Sequence, residues 1–341
     1  MINRIIHVNI VCTNLERSLR FYHDTLGGDV IISKPVGARK TESLGSGIAM
    51  GFGGPAQWGA YFIRFGDQVP LGGAYLGEGA TVIDLLQWTK PASVGRPYDR
   101  LNNVGLARMA LAVDNIDKAY SDLKAKGVEF ISPPQKVDLE RPGEGRVKVV
   151  AFKDPDGTFL ELAERPRSGR SKAPVGMKRM ITRMIHVNIV CTDLERSLRF
   201  YRDTLGGHEG PLGRVGHPVG TRKAESLGSG IAMGFGGPSQ WGAYYIGFGD
   251  PNREQTVIDL LQWTKPASTG KPYDRLNHVG IARIALGVDN LDKTYAELKA
   301  KGVEFISLPQ YVDLERPGQA PVKVVAFKDP DGVFLELSER P

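Results

Sequence analysis

The first residue with chemistry to offer is a histidine inside an apolar, β-branched run: His7 in IIHVNIV, matched by His186 in IHVNIV of the second half. A neutral imidazole is a metal ligand or a proton acceptor, although a histidine set among aliphatic residues is more often a buried structural one. The other histidines offer less. His23, His208 and His217 fall on a helix face or in loops without carboxylates at ligand spacing, and His278 has Asn103 as its counterpart in the first half. Cys12 and Cys191 hold equivalent places in the two halves, so they read as two independent buried thiols rather than a disulfide or nucleophiles. The run GSGIAMGFGGP is rich in glycine but lacks a following Lys-Ser/Thr. It reads as a curved strand, Gly47 to Phe52, that opens no helix, and not as a phosphate loop. Trp58, Trp88, Trp241 and Trp263 read as core or interface aromatics.

These residues need elements to hold them, and an internal repeat organises the elements. IHVNIVCTNLERSLRFYHDTLGG, from Ile6, returns from Ile185, an offset of 179; VIDLLQWTKPAS, FKDPDG and FLEL return at an offset of 175. The offset changes near His208 to Pro218 and again where Gln68 to Ala80 shrinks to Pro251–Gln255. Both places are glycine- and proline-rich, as surface loops of variable length are. Within each copy a strand, helix and strands pattern occurs twice. In the first module Ile5 to Val11 is a strand and Asn14 caps a helix from Leu15 to Leu26, with Leu15, Leu19, Tyr22 and Leu26 on one face. Strands at Val30 to Ile32, Ala60 to Phe65 and Thr81 to Trp88 join the glycine-rich one. The second module has a strand at Ala107 to Val113, a helix from Ile116 to Lys126, and strands at Val128 to Ile131, Val147 to Lys153 and Thr158 to Ala163. Asp154-Pro155-Asp156-Gly157 turns between the last two.

The expected class is therefore α+β, with four βαβββ modules. The first domain is placed at 1–165 (modules about 1–92 and 100–165), a linker at 166–180, and the second domain at 181–341 (modules about 181–267 and 275–341). With 41% hydrophobic and 24% charged residues the chain has the balance of a folded globular protein, and no apolar run approaches the ~18 residues of a membrane span. No signal peptide is evident at the N-terminus, so a cytoplasmic protein with no membrane partner is expected. The net charge of +6 has a local origin, because Arg165, Arg167, Arg170, Lys172, Lys178 and Arg179 crowd the linker against Glu164 alone. A solvated tether accounts for it, and no nucleic-acid partner is expected.

The stretches HVNIVCTNLERSLRFYHDTLGG and FKDPDGTFLEL, present in both copies, resemble the first-strand and last-hairpin signatures of the vicinal oxygen chelate superfamily of glyoxalases, bleomycin-resistance proteins and extradiol dioxygenases. That resemblance implies paired βαβββ modules forming half-open barrels, one per copy, each around a divalent metal. Carried over, the inward-facing positions are His7, Asp84, Arg108 and Glu161 in the first copy and His186, Asp259, Arg283 and Glu336 in the second. Histidine, aspartate and glutamate suit Zn, Mn, Fe, Ni or Co. Arginine, standing where the family commonly has His, is no ligand. Two readings of it stand evenly: Arg108 and Arg283 bind a substrate anion beside a three-ligand metal, or they replace the metal and neutralise the carboxylates in a dry cup. Trp88 and Trp263, four residues after Asp84 and Asp259, would reach the cup mouth and touch substrate.

The implied activity is a metal-dependent lyase or isomerase that stabilises an enolate-type intermediate on a substrate with vicinal oxygens, with Glu161 and Glu336 as the catalytic bases. The alternative is a metal-free sequestration protein of the bleomycin-resistance type; a ring-cleaving dioxygenase is third, weakened by the missing second histidine. A small molecule is the expected partner, bound by a monomer of two fused domains or by a homodimer.

Overall fold

A computed structural model describes residues 2–37, 42–66, 81–139, 146–164, 179–209, 225–253, 255–315 and 320–339. The first copy contributes β1 (Ile2–Val11), β2 (Asp29–Lys34), β3 (Gln57–Arg64), β4 (Val82–Lys90), β5 (Gly105–Val113), β6 (Gln135–Val137), β7 (Val147–Lys153) and β8 (Phe159–Glu164). The second contributes β9 (Ile181–Val190), β10 (His208–Glu209), β11 (Gln240–Gly247), β12 (Val257–Lys265), β13 (Gly280–Val288), β14 (Gln310–Val312), β15 (Val322–Lys328) and β16 (Phe334–Glu339). Six helices lie between strands among the described residues: α1 (Leu15–Arg20), α2 (Leu44–Ala49), α3 (Ile116–Ala125), α4 (Leu194–Arg199), α5 (Leu227–Ala232) and α6 (Leu291–Ala300), and of these α1, α3, α4 and α6 follow the first strand of each module. Asn14, Asn115, Asp193 and Asn290 cap α1, α3, α4 and α6 with side-chain oxygens, as their residue types dictate. From Phe21 to Thr25, and again from Phe200 to Thr204, the chain continues α1 and α4 as a wider π-helical turn.

The strands form two eight-stranded sheets, in the orders β14-β15-β16-β13-β1-β4-β3-β2 and β10-β11-β12-β9-β5-β8-β7-β6. Each sheet thus joins the first module of one copy to the second module of the other. The seam is antiparallel in both: β1 lies on β13, with Asn9 opposite Arg283, and β9 lies on β5, with Asn188 opposite Arg108. This corrects the expectation of one cup per copy. An apolar β1 or β5 needs a strand on each side to satisfy its backbone; sequence periodicity reports that need but not which copy meets it.

Two local expectations also fail. The glycine-rich run is helical, not a strand: the Ser43 side chain caps α2 by accepting from Ser46 N. Gly47 then packs so close to Gly54 that a Cβ would lie 1.6 Å from its carbonyl oxygen. Val128 to Ile131 forms no strand but an isolated Phe130–Phe152 bridge, and among the described residues β6 stands at the sheet edge. Apart from Arg179 and Met180, the expected linker 166–180 lies outside the described residues.

The central strands are buried on both faces. Val8, Ile10 and Cys12 of β1 and its end join one continuous apolar core that takes in both sheets and the helices, while His7, Asn9 and Val11 alternate onto the opposite face. Within each copy the modules still touch through this core: the Tyr22 hydroxyl donates to Asp154 at 3.0 Å, and Tyr201 to Asp329 at 2.8 Å. The copies are therefore interlocked, held to themselves across the helices and to each other along the sheets. Cys12 and Cys191 are free and buried, as expected, and burial pushes the Cys12 thiol up to about 12, which keeps it protonated and unreactive.

Candidate functional site

Four adjacent strands each supply one side chain to the floor of the first cup: Glu336 from β16, Arg283 from β13, His7 from β1 and Asp84 from β4. The second cup repeats the set with Glu161, Arg108, His186 and Asp259. The positions singled out from the sequence all line cups, but the groupings change. His7 and Asp84 meet Arg283 and Glu336 of the other copy, and the expected quartets His7–Asp84–Arg108–Glu161 and His186–Asp259–Arg283–Glu336 do not assemble. None of the eight side chains is in a residue more than 6% exposed.

In the first cup the Arg283 guanidinium donates from Nε to Glu336 at 2.7 Å and from Nη1 to Asn9 Oδ1 at 3.0 Å. Its Nη2 meets Asp84 only at 3.7 Å, longer than a hydrogen bond, and His7 Nε2 also lies 3.7 Å from Asp84. Asn9 completes the link by donating to Asp84 Oδ2 at 3.0 Å. The second cup agrees closely: Arg108 bonds Glu161 at 2.7 Å and Asn188 at 3.0 Å, lies 3.5 Å from Asp259, and His186 stands 3.7 Å from Asp259. Burial works against the charge on Arg108, but the Glu161 and Asp259 carboxylates outweigh it and raise the guanidinium above its usual range.

Asn9 and Asn188 were missed from sequence. The signal was present, since each lies two residues beyond its histidine and so faces the same way. An uncharged asparagine in an apolar strand simply attracts less notice than an imidazole.

As arranged, this set does not fit a divalent metal. A cation among His7, Asp84 and Glu336 would share the carboxylates with a guanidinium bonded to Glu336 and 3.7 Å from Asp84. Two unit like charges 4 Å apart repel by ~4 kcal/mol at an effective dielectric of ~20, and a dication doubles that. Among the described residues no group of three or more His, Cys, Asp or Glu side chains is disposed to hold a metal ion. Of the two readings left even by the sequence, this arrangement resembles the second, with the guanidinium bonded to one carboxylate and 3.7 Å from the other.

Above the floor the walls are apolar: Met50, Ala60, Leu86, Val312 and Val324 in the first cup, with Trp58 and Trp88. The cavity measures about 100 Å³ in the first cup and about 70 Å³ in the second, several times the ~10–15 Å³ that holds one water. Trp88 and Trp263 line their cups but belong to the walls rather than the mouths, being 3% exposed. The cups are not identical. Phe62 beside His7 is replaced by Tyr245 beside His186, and Ser338 by Ala163. Lys34 lines the first cup and bonds the Glu315 carbonyl at 2.9 Å.

The remaining histidines lie elsewhere. His23 is half exposed, His278 stacks on Tyr273 with centroids 4.0 Å apart, and His208 contacts Gln255; His217 lies outside the described residues. No helix among the described residues is long and apolar enough to cross a membrane.

The profile of the family described as Glyoxalase/Bleomycin resistance protein/Dioxygenase superfamily matches residues 4–162 and 183–337. A lactoylglutathione lyase of Schizosaccharomyces pombe is 24% identical over 241 residues, covering 69% of this chain and 67% of the relative. A protein of Arabidopsis thaliana named probable lactoylglutathione lyase, chloroplastic, is 24% identical over 98% of this chain and 73% of its own length. Among solved structures, glyoxalase I from Zea mays superposes with a TM-score of 0.61 at 19% identity, over 98% of this chain and 92% of that one; at such identity the likeness shows the fold.

Proposed function

Because the chain belongs to the Glyoxalase/Bleomycin resistance protein/Dioxygenase superfamily, we propose that each cup is the site of a lyase or isomerase acting on a small molecule with vicinal oxygens through an enolate-type intermediate. One observation supports this reading above the rest: two buried carboxylates share a single guanidinium at the floor of an apolar cavity. With a neutral imidazole the floor carries one surplus negative charge. A surplus carboxylate in a dry chamber accepts a proton from carbon, and a guanidinium beside it stabilises the charge that then appears on oxygen. In the first cup Glu336 takes the proton and returns it to the neighbouring carbon. Arg283 Nη2, which meets Asp84 only at 3.7 Å, donates to the substrate oxygens. Asn9, itself held by its bond to Asp84, fixes the guanidinium plane, and His7 relays a proton to the oxygen. Glu161, Arg108, Asn188, Asp259 and His186 take the same parts in the second cup.

The names of the relatives make lactoylglutathione the first compound to try, within a panel of 2-hydroxyacyl thioesters and 2-hydroxy ketones. Incubation in D2O should place deuterium on the carbon bearing the hydroxyl, read by NMR. Glu161→Gln combined with Glu336→Gln should lower the exchange rate by about 10²–10⁴, the usual contribution of a positioned base. Exchange at the wild-type rate in that double variant would sink the mechanism. Sequestration without turnover has one observation in its favour: Glu336 Oε2 is already bonded to Arg283 Nε at 2.7 Å. Saturable binding across the panel with no exchange would establish it instead.

A further inference from the structure

Two indole nitrogens stand out once the floor is set aside. Trp88 Nε1 and Trp263 Nε1 are shielded from solvent and have no hydrogen-bond partner among the described residues. Each indole borders its cavity. A buried donor without an acceptor costs about 1–3 kcal/mol, and native structures seldom tolerate one without a reason. Here the cost is borne twice, at equivalent positions in two cups.

The rings are not loosely placed. Trp88 is held edge-on against Phe52 at 4.9 Å and 88°, and tilted against Trp58 at 5.3 Å; Trp263 has Phe235 at 4.9 Å and 88° and Trp241 at 5.5 Å. Packing of this kind fixes the direction of each N–H. Along β4, Asp84, Leu86 and Trp88 alternate onto the cup face and all line it. At about 3.3 Å per residue the floor carboxylate and the indole are then about 13 Å apart along the strand, with Leu86 between them, and Met50 and Val324 add apolar surface to the same cavity.

We infer that Trp88 and Trp263 form the distal end of each ligand site, where the indole N–H donates to an acceptor atom of the bound molecule. This rests on the reading of the cups as small-molecule sites and narrows the substrate class. The ligand has a head of vicinal oxygens on the arginine and glutamate, an apolar body against Leu86 and Met50, and an uncharged acceptor oxygen or nitrogen at its far end. A polar, multiply charged body such as a peptide thiol does not suit these walls.

The test uses a matched pair of planar enediol mimics, 4-methoxybenzohydroxamate and 4-ethylbenzohydroxamate, which differ at the far end by an ether oxygen in place of a methylene. Binding is measured by calorimetry on the full chain, and the indole N–H signals are followed by NMR on protein labelled with 15N-tryptophan. The methoxy compound is expected to bind about tenfold more tightly, the usual worth of one such hydrogen bond, and to move the Trp88 and Trp263 indole signals in a way the ethyl compound does not. In Trp88→Phe with Trp263→Phe the tenfold difference should vanish while both compounds still bind; the indole shifts of the wild type stand independently should that variant fold poorly.

Equal affinities and equal indole shifts in the wild type would overturn the inference. So would binding of lactoylglutathione with no binding of either hydroxamate, an outcome that leaves the lyase reading intact. A methoxy preference in a protein that catalyses no exchange on any compound of the panel would uphold the indole site and remove the lyase reading.

Discussion

Arg283 touches Glu336 and Asn9 directly and approaches Asp84 to 3.7 Å, so the character of its cup depends on one side-chain type. Removing one member of a buried charge cluster typically costs 3–5 kcal/mol because the others are left uncompensated, an order-of-magnitude figure of about the same size at each floor. A replacement that is itself a ligand avoids that loss. Arg108→His with Arg283→His places imidazole beside His, Asp and Glu in both cups, a donor set suited to Zn²⁺. The double variant is expected to retain about one zinc ion per cup after dialysis, by elemental analysis, where the wild type retains far less. Equal zinc in the two proteins would show that the guanidinium does not keep the metal out.

At the scale of elements, the turn Asp154–Gly157 packs on α1 of the same copy. Asp154 accepts from the Tyr22 hydroxyl and from the backbone N–H groups of Asp156 and Thr158, while Asp156 takes bonds from Arg17 and Thr13. Burial outweighs these bonds and raises the Asp154 carboxyl to about 6; Asp329, against Tyr201, is raised by burial to about 6 as well. These values lie above the unfolded carboxyl at about 3.9, so between the two the folded chain binds more protons. Each site's contribution is fully present below about pH 4, declines as pH rises to about 6 and is flat beyond, a change on the order of 2–3 kcal/mol per site. Asp154→Asn with Asp329→Asn removes both titrations. Relative to wild type, the variant should therefore gain stability between about pH 4 and 7 in denaturant unfolding, and a constant difference across that range would contradict the linkage.

On the scale of the whole molecule, the exchange of modules decides which residues serve together. His7 shares a cup with Glu336, and His186 with Glu161. His7→Ala combined with Glu336→Gln should silence one cup and leave about half the exchange activity, since distant sites act independently. His7→Ala with Glu161→Gln disables both cups and should abolish it. The opposite ranking in the same NMR assay would mean that the copies fold as separate cups.

Much of this molecule was legible in the chain. The four modules, the helix cap at Asn14 and the Asp154–Gly157 turn follow from period-two and period-3.6 patterning and from the repeat, all of which act within a few residues or within one strand, while the inward positions of His7, Asp84, Arg108 and Glu161 came from the resemblance to the superfamily. The helix in the glycine-rich run escaped because it depends on a contact, Gly47 against Gly54, that no local propensity encodes. The partnership of β1 with β13 escaped for a deeper reason. Copies this alike offer β1 two nearly equivalent partners, β5 and β13, and the sequence satisfies either; only the tertiary structure, through the closure of both sheets and the shared core between them, settles which arginine and glutamate face which histidine and aspartate.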